Sequence, residues 1–367
     1  MEGTHIARRT LMAVFFCALC VFAVLSCTSL GSQQGNTGNG ASEVTRDEKD
    51  AADNGGVVNA VTDCRADPTT ERDSSSAIEQ CIDLVMQDGG GTVEVPAGRY
   101  LLSEPIDLDN SDRLGVRIEG AGTKTSGTHL LVEGDAGIIA DQGSLEPITG
   151  PTFERFHMVA RNEEADLIRL GAVNHGHFEQ LWLEGGRYGV VIDSKRRAYG
   201  DESDASYHEF YDVRLRDQRI GLYNVERGGF LFVGGHIVLV RSDDVGIRIE
   251  GGGYQYRVVG TRIDGGFNDG KGIGVGIEVE DANHLQTSAV QIESANIGYH
   301  IISGDQNELD GFVANNGNDM YGVLIEEGAR NTIVDTLQFS RPDTPNALVN
   351  RSESTRRVVT EPLPSSP

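Results

Sequence analysis

Five short stretches carry the side chains best suited to chemistry: Trp182-Leu183-Glu184, Arg214-Leu215-Arg216, Leu239-Val240-Arg241, Arg262-Ile263-Asp264 and Gln291-Ile292-Glu293. Each has an apolar residue at its centre, to be buried between two that point outward, as on a half-buried strand. Aligned by their distance to a following glycine, they form two outward rows. One row holds Glu184, Arg216, Arg241 and Glu293, joined by Asp264; the other holds Trp182, Arg214, Leu239, Arg262 and Gln291. Asp212 extends the first coils by one more step. Guanidinium groups bind carboxylates through paired hydrogen bonds. An indole packs on a sugar face, and carboxylates supply acid and base for bond cleavage. A lyase would add a base for the proton beside a uronate carboxyl and a cation for the charge that develops there. The expected catalytic set is therefore Asp212, Glu184, Asp264 and Glu293. The expected substrate-binding set is Trp182, Arg214, Arg216, Arg241 and Arg262, and the expected partner is a polysaccharide of the polyuronide type. The alternative is structural: acids and arginines on successive strands also pair as ion-pair ladders, each worth under about 1 kcal/mol.

Other chemistries find little support. There is no nucleophile elbow, P-loop or zinc signature. His175 and His177 share a stretch but lack further ligands, so no metal is expected. The acidic run Asp201, Glu202, Asp204 lacks the ligand spacing of a calcium loop, so calcium is possible but unsupported and no cofactor is expected.

These stretches need a scaffold that repeats. A glycine followed by alternating apolar residues recurs at 115, 137, 189, 221, 246, 276, 298 and 322, the last six separated by 32, 25, 30, 22 and 24 residues. Irregular periods of this size, with two or three short strands each, indicate coils of a parallel β-helix. About nine coils stacked about 4.8 Å apart would enclose a column of Val, Ile, Leu and Phe. The recurring glycines are expected at sharp corners with positive φ. Upstream, "DSSSAIEQCIDLVMQDGGG" predicts a short amphipathic helix, with a capping box from Ser76 to Glu79 and a stop at Gly89. Such a helix would cap the open end of the solenoid. Two insertions, 194–206 and 265–275, are expected to wall the polar face.

The stretch "DSSSAIEQCIDLVMQDGGGTVEVPAGRYLL" resembles the N-terminal signature of the rhamnogalacturonase/epimerase-like pectate lyase family, through Asp73, Ala77, Ile78, Gly90, Gly91, Thr92, Val93, Pro96, Gly98 and Tyr100. The resemblance implies an all-β, right-handed, single-stranded parallel β-helix of the pectin-lyase-like superfamily. It implies no particular activity, since the family spans lyases, hydrolases, epimerase-like proteins and phage tailspikes. The polygalacturonase-like pattern is mostly missing: only the pair Asp243-Asp244 is present, more often a turn feature than a catalytic one. A non-catalytic, glycan-binding or structural surface β-helix stays open as the alternative. The oligomeric state is not legible.

The ends follow a different grammar. Residues 1–27 read as an export signal, with Arg8-Arg9 ahead of the apolar run and Val24-Leu25-Ser26-Cys27 resembling a lipobox in which Cys27 is lipidated. Simple cleavage nearby and an uncleaved anchor are the alternatives. Residues 28–56 cannot bury enough apolar surface to order themselves and read as a tether. Residues 57–350 form the β-helix domain, and 351–367 a loose tail. The chain is thus expected at the cell surface or outside it, with membrane contact only through the signal or lipid. Of the two cysteines beyond Cys27, Cys64 and Cys81 are expected to pair as a disulfide, two separate buried thiols being the alternative. The net charge of −25, from 56 acids and 31 bases of which four are lysine, excludes nucleic acid as a partner. It fits a salt-loving organism or simply an acidic secreted protein.

Overall fold

The computed structural model describes residues 56–358, apart from 109–114, 141–147, 172, 194–206, 226–227, 269–270, 315–319, 336, 341–345 and 355–356. Cys27 and most of the segments expected as signal and tether lie outside the described residues.

The chain forms a right-handed parallel β-helix. One coil shows the unit: His208–Tyr211 joins the first sheet, Arg214–Arg216 the second and Ile220–Asn224 the third. Each sheet is a stack of parallel strands, 12 in the first and 11 in each of the other two. Alternation sends one side chain in two inward. On the first sheet this builds a ladder of Phe153, Phe178, Phe210 and Phe232, with successive ring centroids 5.4, 4.7 and 5.7 Å apart. A second interior row runs His208, Phe230, Tyr256, Leu285, all fully or almost fully buried.

Gly115 has the expected positive φ, 75°, but six of the recurring glycines have a different role. Gly189, Gly221, Gly246, Gly276, Gly298 and Gly322 are second residues of third-sheet strands, and none has a positive φ. A Cβ there would lie 2.4–2.6 Å from a carbonyl oxygen of the next coil. Close approach, rather than backbone freedom, requires glycine. A left-handed corner lies between the first and second sheets, and it is filled by Arg155, Gln180, Asp212, Gly234, Gly260 and Ala289.

The expected helix spans Ser75–Gln87 and buries Ile78, Cys81, Ile82 and Val85 against the first strands. Its start differs from the expected capping box. Ser74 is the N-cap and makes no side-chain cap; its hydroxyl is engaged with Asp67, accepting from the backbone N–H at 3.0 Å. Glu79 accepts from the backbone N–H of Asp107 at 3.0 Å, so tertiary partners have taken both roles. Cys64 and Cys81 form a disulfide that ties the helix to the turn after the strand Gly56–Asn59. At the other end, Arg357–Val358, within the segment expected to be loose, pairs with Ile333–Val334.

Candidate functional site

The outer face of the second sheet carries one continuous row: His129, His157, Trp182, Arg214, His236, Arg262, Gln291, Phe312 and Gln338. Beside it run Val159, Glu184, Arg216, Val238, Asp264, Glu293 and Ala314. Seven of the expected residues are therefore brought together: Trp182, Glu184, Arg214, Arg216, Arg262, Asp264 and Glu293.

Two are not. Arg241 and its row partner Leu239 are displaced by His236 and Val238. Val238 stands eight residues before Gly246, whereas Glu184, Arg216 and Glu293 stand five before their glycines, so the corner after this strand is three residues longer. Leu239 is buried. Arg241 closes that corner, donating to Asp244 Oδ1 at 3.0 Å and to the Asp217 carbonyl at 3.0 Å. Asp244 also accepts the backbone N–H groups of Val240 and Arg241, both at 2.8 Å, so it is a turn-building carboxylate. Asp212 occupies the left-handed corner, φ 49°, exposed and off the row. The missed residue, His236, was legible from the upstream side. The corner pairs Gln180-Leu181, Asp212-Val213, Gly234-Gly235, Gly260-Thr261 and Ala289-Val290 each precede the row residue directly.

At its N-terminal end the row is a ring stack. His157 lies face to face with Trp182, centroids 4.3 Å apart and planes 13° apart, and it tilts against His129 at 5.1 Å. Burial, with the neighbouring His129, lowers the His157 pKa from 6.5 to about 4, so it is neutral. Its Nε2 is 3.3 Å from Glu184 Oε2 but is not aligned as a hydrogen bond. One face of the indole is thus covered by a neighbour from the preceding coil.

The middle is different. His236 Nε2 sits 2.8 Å from Asp264 Oδ2. Arg262 donates to Asp264 at 2.9 Å and approaches Glu293 at 3.6 Å; its hydrogen bonds to Asp264 are the main reason its pKa is raised. Gln291 donates to Glu293. Arg214 and Arg216, in register with His236 and Val238, are exposed and make no ion pair or hydrogen bond among the described residues.

The third sheet presents a second polar face that sequence reasoning missed. Its outer row runs Arg169, Val191, Tyr223, Arg248, Glu278, His300 and Leu324. Tyr223 donates to Glu250, which also pairs with Arg248. Arg248 reaches Glu278 at 3.4 Å, Glu278 meets His300 at 3.1 Å, and Glu326 lies 3.6 Å from His300 and 2.9 Å from Arg351. Burial first, then the Glu250 hydrogen bond, raises the Tyr223 pKa; the His300 hydrogen bond lowers that of Glu278. Nearby, the buried Asp166 accepts from Arg187 at 2.9 and 2.8 Å and from Arg169 at 3.1 and 2.7 Å. The signal is present in the sequence as charges on the strands after each glycine.

The 265–275 segment leaves Arg262–Asp264, forms a small hairpin of Phe267–Asn268 with Lys271–Gly272, and enters the third-sheet strand Val275–Val279. Residues 194–206 lie outside the described residues; they connect the third-sheet strand Tyr188–Ile192 to the first-sheet strand His208–Tyr211.

One mixed donor cluster occurs among the described residues. Glu154, His177 and Glu179 on the first sheet bring ligand-type atoms within 4.8 Å of one another. Arg117 already pairs with Glu154 on the neighbouring strand and, at 3.0 Å, with Glu119 on its own strand, so this cluster is part of an ion-pair ladder.

No family model and no curated protein matches the chain. Solved structures similar to it include ORF18 of Geobacillus virus E2, at 15% identity and TM-score 0.49 over 77% of this chain and 57% of that one. The chain therefore spans little more than half of that protein. The DFA-IIIase of Arthrobacter chlorophenolicus A6 matches at 10% identity and TM-score 0.49, over 83% of this chain and 99% of that one. PfbA, a surface adhesin of Streptococcus pneumoniae, matches at 11% identity and TM-score 0.45, over 82% and 80%. The class of protein, a parallel β-helix, rests on this chain's own strand register.

Proposed function

We propose that this protein is an exported, pectate-lyase-like β-helix, held at the envelope through Cys27, that binds acidic polysaccharide on the second-sheet face and cleaves it by β-elimination. The observation that carries the reading is the neighbouring pair Arg214 and Arg216, unpaired beside the His236–Asp264 contact. In a chain with 56 acids to 31 bases, two adjacent arginines without a carboxylate partner are suited to an external one.

In this mechanism a uronate carboxylate is held by Arg214 and Arg216, which neutralise it and stabilise the charge that develops at C5. Asp264 is a positioning residue: it accepts the Nε2 proton of His236, leaving Nδ1 as the free base. His236 Nδ1 removes the C5 proton. The electron pair forms the C4–C5 double bond, the C4–O4 bond breaks, and the departing oxygen takes a proton from water. A hydrolytic role for Asp264 and Glu293 is disfavoured by Arg262, which contacts both carboxylates.

The test offers the full chain pectin, polygalacturonate, alginate and rhamnogalacturonan, and follows ultraviolet absorbance and new reducing ends together. Both signals rising, and both lost in His236→Ala, is the expected result. Reducing ends alone would replace elimination with hydrolysis. Binding without either signal would make the protein a glycan-binding surface β-helix.

A further inference from the structure

The same outer row continues past the arginines to a site of opposite character. Phe312 and Gln338 extend it beyond Gln291, and they border an open concavity of about 490 Å³ with Ala289, Gln291, Asp310 and Gly311. Two of the bordering residues, Ala289 and Gly311, are small. Gly311 is held at φ 145°, and a Cβ there would strike the Val290 carbonyl oxygen at 2.1 Å. Phe312 is half-exposed in the outward row and stacks on no other ring among the described residues. Trp182, by contrast, has one face against His157. Phe312 is thus an aromatic surface on this face with no ring stacked on it among the described residues, in addition to the indole that the sequence points to.

The polar groups around Phe312 are amides and acids. Gln291 and Gln338 flank the ring on the two neighbouring strands, and none of the residues bordering the concavity is basic. Asp310, with Glu293 beside Gln291, would repel a uronate. Amide groups and one carboxylate suit hydroxyls, which both donate and accept. We infer that the Phe312 concavity is a subsite for an uncharged sugar ring, packed on Phe312 and hydrogen-bonded through Gln291, Gln338 and Asp310. The inference rests on the reading of Arg214 and Arg216 as the uronate site. Phe312 lies four strands along the same row, about 19 Å away at about 4.8 Å per strand. Together the two sites select a heteropolysaccharide in which acidic and neutral sugars occur in one chain.

The experiment compares the full chain with Phe312→Ala, Phe312→Trp and Arg214→Ala/Arg216→Ala on a glycan array. The array carries oligogalacturonate and oligomannuronate, alternating uronate–neutral oligomers (hyaluronan and rhamnogalacturonan fragments), and neutral cello-oligosaccharides. Phe312→Ala should weaken binding of the alternating oligomers about tenfold and leave the homo-uronates nearly unchanged, and Phe312→Trp should retain the preference. An unchanged pattern in Phe312→Ala, or equal loss on both classes, would overturn the subsite. The arginine variant reads the parent proposal separately: it should weaken every uronate oligomer, and an unchanged pattern there would overturn the uronate site whatever Phe312 does. Gln338→Ala, also half-exposed, supplies a second reading should Phe312→Ala not fold, with a severalfold loss expected on the alternating oligomers alone.

Discussion

The second-sheet and third-sheet faces are built by the same rule, one outward residue per strand in register, yet they use their charges differently. On the third sheet Tyr223, Glu250, Arg248, Glu278, His300, Glu326 and Arg351 form one chain of contacts, and Asp166 holds two guanidiniums. Each cation in these contacts has a carboxylate partner, so the network stabilises the coils and offers little to an anion. On the second sheet Arg214 and Arg216 are unmatched and exposed. Perturbed ionisation alone would have pointed to the third sheet. Asking which charges lack a partner points to the second.

The largest expected effect breaks or confirms this contrast directly. His236→Ala should lower the rate of β-elimination by about 10²–10⁴-fold, the usual range for a general base. Tyr223→Phe should change it only a fewfold. The reverse outcome in the ultraviolet assay would move the active face to the third sheet.

Stability should respond the opposite way. Asp166→Asn leaves two half-buried guanidiniums without their counter-charge and should cost about 3–5 kcal/mol in denaturant unfolding. Arg214→Ala should stay within about 0.5 kcal/mol.

The core adds a pH dependence that belongs to neither face. Burial, with His175 nearby, lowers the pKa of His208 from 6.5 to about 4, and neither ring nitrogen has a hydrogen-bond partner. Between those values the unfolded chain binds the proton and the folded chain does not. Stability therefore falls as pH drops from about 6.5, and the loss is complete below about 4. His157 contributes in the same direction. His208→Leu should flatten the decline in thermal midpoint across this window; an unchanged slope would assign it to other groups.

The smallest effect concerns salt. Glycan binding through Arg214 and Arg216 should weaken from low to high ionic strength, while Arg262→Ala, which removes an exposed ion pair, should cost under about 1 kcal/mol of stability. Binding that is indifferent to salt would sharpen the case for the Phe312 region as the main contact.

The fold was legible because its causes are local and repeated. Alternating Val, Ile and Leu, a glycine every coil and the amphipathic run from Ser75 to Gln87 each state a short-range preference, and stacking follows from repetition. Side-chain types on the second-sheet strands were legible for the same reason. Their register was not. One corner three residues longer exchanged Arg241 for Val238 and Leu239 for His236, because a parallel strand is placed by hydrogen bonds to the next coil and not by its distance to a glycine. Pairing was illegible too: whether Trp182 faces solvent or His157, and whether an arginine is matched, depends on residues 21 to 28 positions away in the chain. Composition and periodicity determined the solenoid; only the stacked coils decided which charges are left over for a ligand.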